Sequence, residues 1–181
     1  MMIETINFRG NIDDNLETTA FMDKCESILN DKSNMPDRLV VSISSIGGDV
    51  GLAVDIYKVL RGISEHTYVE THNGGSVESS AVIIFLAGDI RIANVGTYFL
   101  LHGLWRSYDN DINKLNCDIE RYAAIFEKRT RHAKDIIDIR QILNDRHCEV
   151  RVDWRSSFDY GLTTLYTEIS DPVHCNGQYI I

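Results

Sequence analysis

The stretch Asn73-Gly-Gly-Ser-Val-Glu-Ser-Ser-Ala-Val-Ile-Ile-Phe-Leu-Ala-Gly88 organises the rest of the chain. Two glycines open it, small and polar residues follow, and an apolar block runs from Ala81 to Ala87. That order predicts a tight turn at the glycines feeding a buried helix. Ser79 and Ser80 fall at the junction. A serine there either caps the helix with its hydroxyl or stands among free N–H groups at the positive end of the helix dipole, where a nucleophilic oxygen is favoured.

Outward from this stretch, periodicity alternates between two and 3.6. Residues 5–10 alternate apolar and polar and read as a strand, as do the β-branched run 38–44, residues 66–71, 89–93 and 96–102. Residues 13–30 and 50–60 carry helical stripes, the second through Leu52, Ala53, Ile56, Val59 and Leu60. The order β-α-β-α-β-α-β-β predicts an α/β protein whose twisted, mostly parallel sheet is covered by helices on both faces. From Asp109 to about Asn144 two further stripes, Ile112 to Phe126 and Ile136 to Leu143, predict a long helical region. Glu149–Asp153 reads as a short extended piece, and Gly161 closes a helical turn that begins at Ser156.

A chain of 181 residues without repeat or linker reads as one domain, 1–181. Its net charge of −9 speaks against a nucleic-acid surface. Cys25, Cys117, Cys148 and Cys175 are scattered without a Cys-x-x-Cys pair, which fits reduced thiols in a cytoplasmic protein and gives no metal-ligand spacing. No apolar run reaches the roughly 20 residues that span a bilayer, and no signal sequence opens the chain, so no membrane is expected.

Three features converge on chemistry. Ser45-Ile-Gly-Gly-Asp-Val50 ends a strand with paired glycines, whose amides can face an anion. Ser79 stands before the apolar helix. His102 ends the apolar strand Tyr98-Phe-Leu-Leu-His102, placed to act as a general base. Here the chain resembles the Clp protease proteolytic subunit (ClpP) family, within the ClpP/crotonase superfamily. The family's Asn-Ser-Pro-Gly-Gly-x-Val is matched by Ser44-Ser-Ile-Gly-Gly-Asp-Val50. Its Gly-x-Ala-Ala-Ser-Met-Gly is matched by Gly75-Ser-Val-Glu-Ser-Ser-Ala81, and its Met-Ile-His by Leu100-Leu-His102. Arg9-Gly-Asn-Ile-Asp-Asp14 and Tyr160-Gly-Leu162 fall in register with two further elements.

Counting back from Ala87-Gly88, the resemblance makes Ser79 the nucleophile and puts Ser80 where the family has methionine. It implies a serine endopeptidase with His102 as base, the amides of Gly48 and Ser80 as the oxyanion hole, and Glu149 at the family's aspartate position. Asp145 and Asp153 stay as alternative acids. It also implies a helical handle at about 109–144, a homo-oligomeric ring of one or two heptamers, peptide substrates, no cofactor, and an AAA+ unfoldase as partner. The handle's stripes, exposed on a lone helix, would be covered in such a ring, and peptide would add as a strand beside the Gly-Gly strand. Ile46 in place of proline, Ala81 in place of glycine, and Glu78 beside the nucleophile mark a divergent member, of phage type or a specialised paralogue. They keep three other readings in view: an inactive ring subunit, a crotonase-like acyl-CoA enzyme, and a Ser–Lys peptidase of the signal peptide peptidase A type. The last lacks any lysine between Lys58 and Lys114.

Overall fold

The structure is a computed structural model that describes residues 1–104, 111–130 and 136–165. Along the chain run β1 (Ile3–Ile12), α1 (Leu16–Asn30), β2 (Arg38–Gly48), α2 (Val50–Ser64), β3 (Tyr68–Glu78) and α3 (Ala81–Phe85). Then come β4 (Ile90–Ala93), β5 (Tyr98–His102), α4 (Ile112–Arg129), α5 (Ile139–Asn144) and β6 (Glu149–Asp153). The strands form one six-stranded sheet in the order β1-β2-β3-β5-β6, with β4 also on β3. Every pairing is parallel except β5 with β6. The start of the expected handle at Asp109, Cys175, and the chain beyond Leu165 lie outside the described residues.

Polar caps begin the helices as their sequences suggest. Asn15 accepts from the Thr18 amide at 2.8 Å, Asp49 from Leu52 at 2.9 Å, Asp111 from Lys114 at 3.0 Å and Asp138 from Gln141 at 3.1 Å.

Three expectations are corrected. Among the described residues the helices lie on one face of the sheet only. Burial along β2 alternates: Leu39, Val41 and Ile43 are buried, whereas Arg38, Val40, Ser42 and Ser44 are half-exposed. The buried row packs under α3, α2 packs on β3, and α1 packs on α2 and β1. On the open face Glu70 is almost buried between Arg38 (Nη1–Oε2 3.4 Å) and His72 (Nε2–Oε1 2.5 Å).

The second correction concerns the glycines of the opening stretch. They make no turn, because β3 runs extended through Asn73-Gly74-Gly75 to Glu78. Their small size answers to close approach instead. A Cβ on Gly74 would stand 2.8 Å from Ser42 Oγ, and one on Gly75 2.6 Å from Ser44 Oγ. Here β3 also changes partners, from β4 over Glu70–Asn73 to β5 over Ser76–Glu78.

The apolar block after the turn is buried throughout, Ala81 to Ala87 at 0 % exposure. Each large side chain there stabilises by about 1.5–3 kcal/mol, and Phe85 meets Phe99 edge-on at 4.9 Å. Three arginines close the carboxyl end of α3. Arg61 donates to Ala87 O at 2.9 Å, Arg129 to Leu86 O at 2.9 Å and Gly88 O at 2.6 Å, and Arg91 to Gly88 O at 3.2 Å. Cations suit the carbonyl-rich end of a helix.

The inner stripe of α4 (Leu115, Ile119, Tyr122, Ala123, Phe126) is buried, with α4 packed on α2, α3 and α5. The expectation that this stripe stays exposed for a second copy is therefore corrected: the chain's own core covers it. Among the described residues no helix is long and apolar enough to cross a membrane.

Candidate active site

Ser79 occupies the turn between β3 and α3 and is buried. Its φ is +52°, the one positive value at a non-glycine residue among those described. This left-handed conformation is strained for a serine and marks sites where geometry is held for a purpose. Both of its backbone groups are tied. The Ser79 amide donates to Leu100 O of β5 at 2.7 Å. Its carbonyl accepts from the Tyr122 hydroxyl of α4 at 2.9 Å. Tyr122 is fully buried, which pushes its phenol pKa up and keeps it a donor.

Ser79 and His102 line one cleft of about 390 Å³, with Asn11, Asp13, Gly47 and Gly48. On one side Asp49 and Lys114 approach to 3.8 Å. His102 presents Nδ1 to the Gly103 carbonyl at 2.9 Å. A carbonyl only accepts, so Nδ1 carries the proton of that bond, and a ring with its single proton there leaves Nε2 as the acceptor. This is the tautomer a general base for a serine hydroxyl requires.

The three candidate acids are set apart by position. Glu149 is the direct cross-strand partner of His102 in the β5–β6 ladder. Asp145 lies in the adjoining turn, where its Oδ1 accepts the His147 amide at 2.9 Å and its backbone packs on Gly103. Asp153 pairs across from Tyr98 at the far end of β6. Its carboxylate accepts the Ser156 amide and hydroxyl and the Arg155 amide, each at 2.9 Å. Those bonds, the Ser156 ones first, hold its pKa below the ordinary value.

The Gly-Gly segment is wedged beside Ser79. A Cβ on Gly47 would come 2.7 Å from both Glu78 O and Ser79 Cβ, and one on Gly48 would overlap Ile12 O. Their φ values of +87° and +149° also demand glycine. The Ser80 amide, 3.1 Å from where that Gly47 Cβ would stand, is given to no acceptor among the described residues. The Gly48 amide instead donates to Ser80 Oγ at 2.8 Å, and that hydroxyl donates back to Gly48 O at 3.0 Å. Ser80 opens α3 without a side-chain cap, so neither serine serves as the capping group considered from sequence.

Glu78 is turned aside, its Oε1 held by the Tyr98 hydroxyl at 2.9 Å. Strand addition beside the Gly-Gly strand is left only the edge of residues 46–48 on the β3 side. β1 takes one edge of β2 as far as Gly48, and β3 takes the other as far as Ser45. Sequence reasoning missed Tyr122, whose place in an apolar stripe gave it the look of core.

A statistical model of the Clp protease family matches residues 4–163. Among solved structures the chain resembles ClpP1 from Listeria monocytogenes (TM-score 0.71, 16% identity, 91% of this chain and 92% of that one). A point mutant of Listeria monocytogenes ClpP1 matches with TM-score 0.68 and 20% identity over 92% of both chains. No curated protein sequence matches. At such identities the solved structures speak for the fold alone, a mostly parallel α/β sheet with its helices. With the family's profile running across nearly all of β1 to the Gly161 turn, the chain belongs to the Clp protease family.

Proposed function

We propose that this chain is a serine endopeptidase subunit that hydrolyses peptide bonds within an oligomeric ring in the cytoplasm, fed by an AAA+ unfoldase. The observation that carries the reading is Ser79. It is pinned at φ +52° at the head of a buried helix, in the same cleft as a histidine whose Nδ1 already holds the proton.

In the proposed reaction His102 Nε2 takes the proton from Ser79 Oγ as the oxygen attacks the peptide carbonyl. The amides of Ser80 and Gly48 receive the oxyanion. The protonated imidazole, steadied by Glu149 across the ladder, passes its proton to the leaving amine, and water then releases the acyl group. Glu149 is the acid of choice because of its register opposite His102, whereas Asp153 sits at the other end of the strand with its carboxylate engaged.

Labelling with a serine-reactive fluorophosphonate tests the reading. Wild type should label, and Ser79→Ala and His102→Ala should not. An assembled wild-type protein that fails to label would sink it. Glu149→Gln should lose most of the activity and Asp145→Asn little. A second reading, an inactive structural subunit of such a ring, is favoured by the Gly48 amide resting on Ser80 Oγ and by the His102 ring resting on a carbonyl rather than a carboxylate. Silence in labelling together with intact ring assembly would select it.

A further inference from the structure

The position after the nucleophile carries a hydroxyl, and its bonds bear directly on the oxyanion site. Ser80 is fully buried. Its Oγ takes the Gly48 amide at 2.8 Å and donates to the Gly48 carbonyl at 3.0 Å, so both polar groups of one glycine are held by one side chain. The neighbouring Gly47 amide is likewise taken by Ser45 Oγ at 3.1 Å. The Ser80 amide, by contrast, is given to no acceptor among the described residues.

We propose that Ser80 is a positioning residue that plugs the oxyanion site at rest: its hydroxyl holds the Gly48 amide until the acyl oxygen of a substrate displaces it. The inference rests on the serine-peptidase reading above. It goes further by making basal reactivity depend on a side chain that touches no substrate. The amide comes free by rotation of the Ser80 side chain or by turning of the Gly47–Gly48 peptide, which two adjacent glycines allow. Until then one of two oxyanion donors is withheld, and an oxyanion donor is among the strongest single contributions to acyl transfer.

The test compares wild type, Ser80→Ala and Ser80→Cys, each checked for assembly and thermal midpoint, by the rate of fluorophosphonate labelling. A plug predicts faster labelling in Ser80→Ala, by roughly threefold to tenfold, the weight of one net hydrogen bond. Ser80→Cys, nearly the same size but a weak acceptor, should fall between, and it carries the test if Ser80→Ala does not fold. A merely structural clip predicts the reverse order, with Ser80→Ala slowest.

A second readout separates the two roles. A peptide boronate, which forms a tetrahedral adduct with its hydroxyl in the oxyanion site, should bind Ser80→Ala more tightly than wild type. The matching non-covalent peptide should bind both alike. Labelling of wild type with no gain in Ser80→Ala overturns the plug and leaves the peptidase reading standing. Assembled proteins that are all silent overturn both.

Discussion

At the scale of single residues, the site is held by backbone constraints more than by side-chain partners. Gly47 shows this most directly, because a methyl group there meets Glu78 O and Ser79 Cβ and its φ is left-handed. Gly47→Ala is expected to cost about 2 kcal/mol, read as a lower denaturant midpoint, and to abolish labelling of Ser79. Tyr122→Phe tests the other constraint. Loss of one buried hydrogen bond should cost about 1 kcal/mol. Release of the Ser79 carbonyl should slow labelling roughly tenfold, since small misplacements of a nucleophile are costly. A Tyr122→Phe variant that labels at the wild-type rate would remove Tyr122 from the site. Ser79 and His102 drew notice in the sequence because one precedes and the other ends an unmistakable apolar run. Tyr122 was not, because a hydroxyl on a helical stripe gives no sign of which carbonyl it will reach. Nor were Gly74 and Gly75, because glycine marks a turn and a close approach with the same letter.

At the scale of elements, α3 is a short helix with an unusual ending. Three guanidinium groups converge on residues 86–88, with Asp89 as the nearby counter-charge. Arg91 is buried and donates also to Leu162 O, Gly161 O and Arg129 O. Burial above all, with Arg129 adding to it, brings its pKa down to about 10, so it keeps its charge at neutral pH. Arg91→Met leaves several buried carbonyls without a donor and should cost about 3 kcal/mol, measured by urea unfolding.

Burial works against charge on Asp89, but the Arg61, Ser64 and Val69 donors outweigh it and set its pKa below the ordinary carboxylate value. The stabilisation it gives is therefore complete above the pKa of an unfolded aspartate and is lost as pH falls through the lowered folded value. Asp89→Asn should flatten the acid limb of the stability–pH curve and leave its alkaline side alone. The order of elements was readable from periodicity, since strands and helices each keep their own repeat. That the helices of the described residues gather on one face was not, because half-buried strands such as Arg38–Ser44 mix valine and serine on the row that stays open.

At the scale of the molecule, that open row decides what kind of contact the sheet can make. Ser42, Ser44 and His72 stand half-exposed beside Arg38 and Val40, so this row is mostly polar where a helical layer was expected. If the proposed ring covers this face, its contacts are polar, and polar contacts weaken with salt. Sedimentation should then show a ring in low salt that falls apart in molar salt, and an assembly indifferent to salt would place the interface elsewhere. The Tyr122 brace has a consequence for biosynthesis as well. Ser79 and His102 leave the ribosome well before Tyr122 and Glu149, which follow by tens of residues. A nascent chain therefore carries the proposed nucleophile and base without the hydroxyl that ties the backbone of one or the residue paired across the ladder from the other. Chains halted before Tyr122 are expected to stay inert toward the fluorophosphonate, so that the proposed peptidase is harmless to its own synthesis until Tyr122 has emerged.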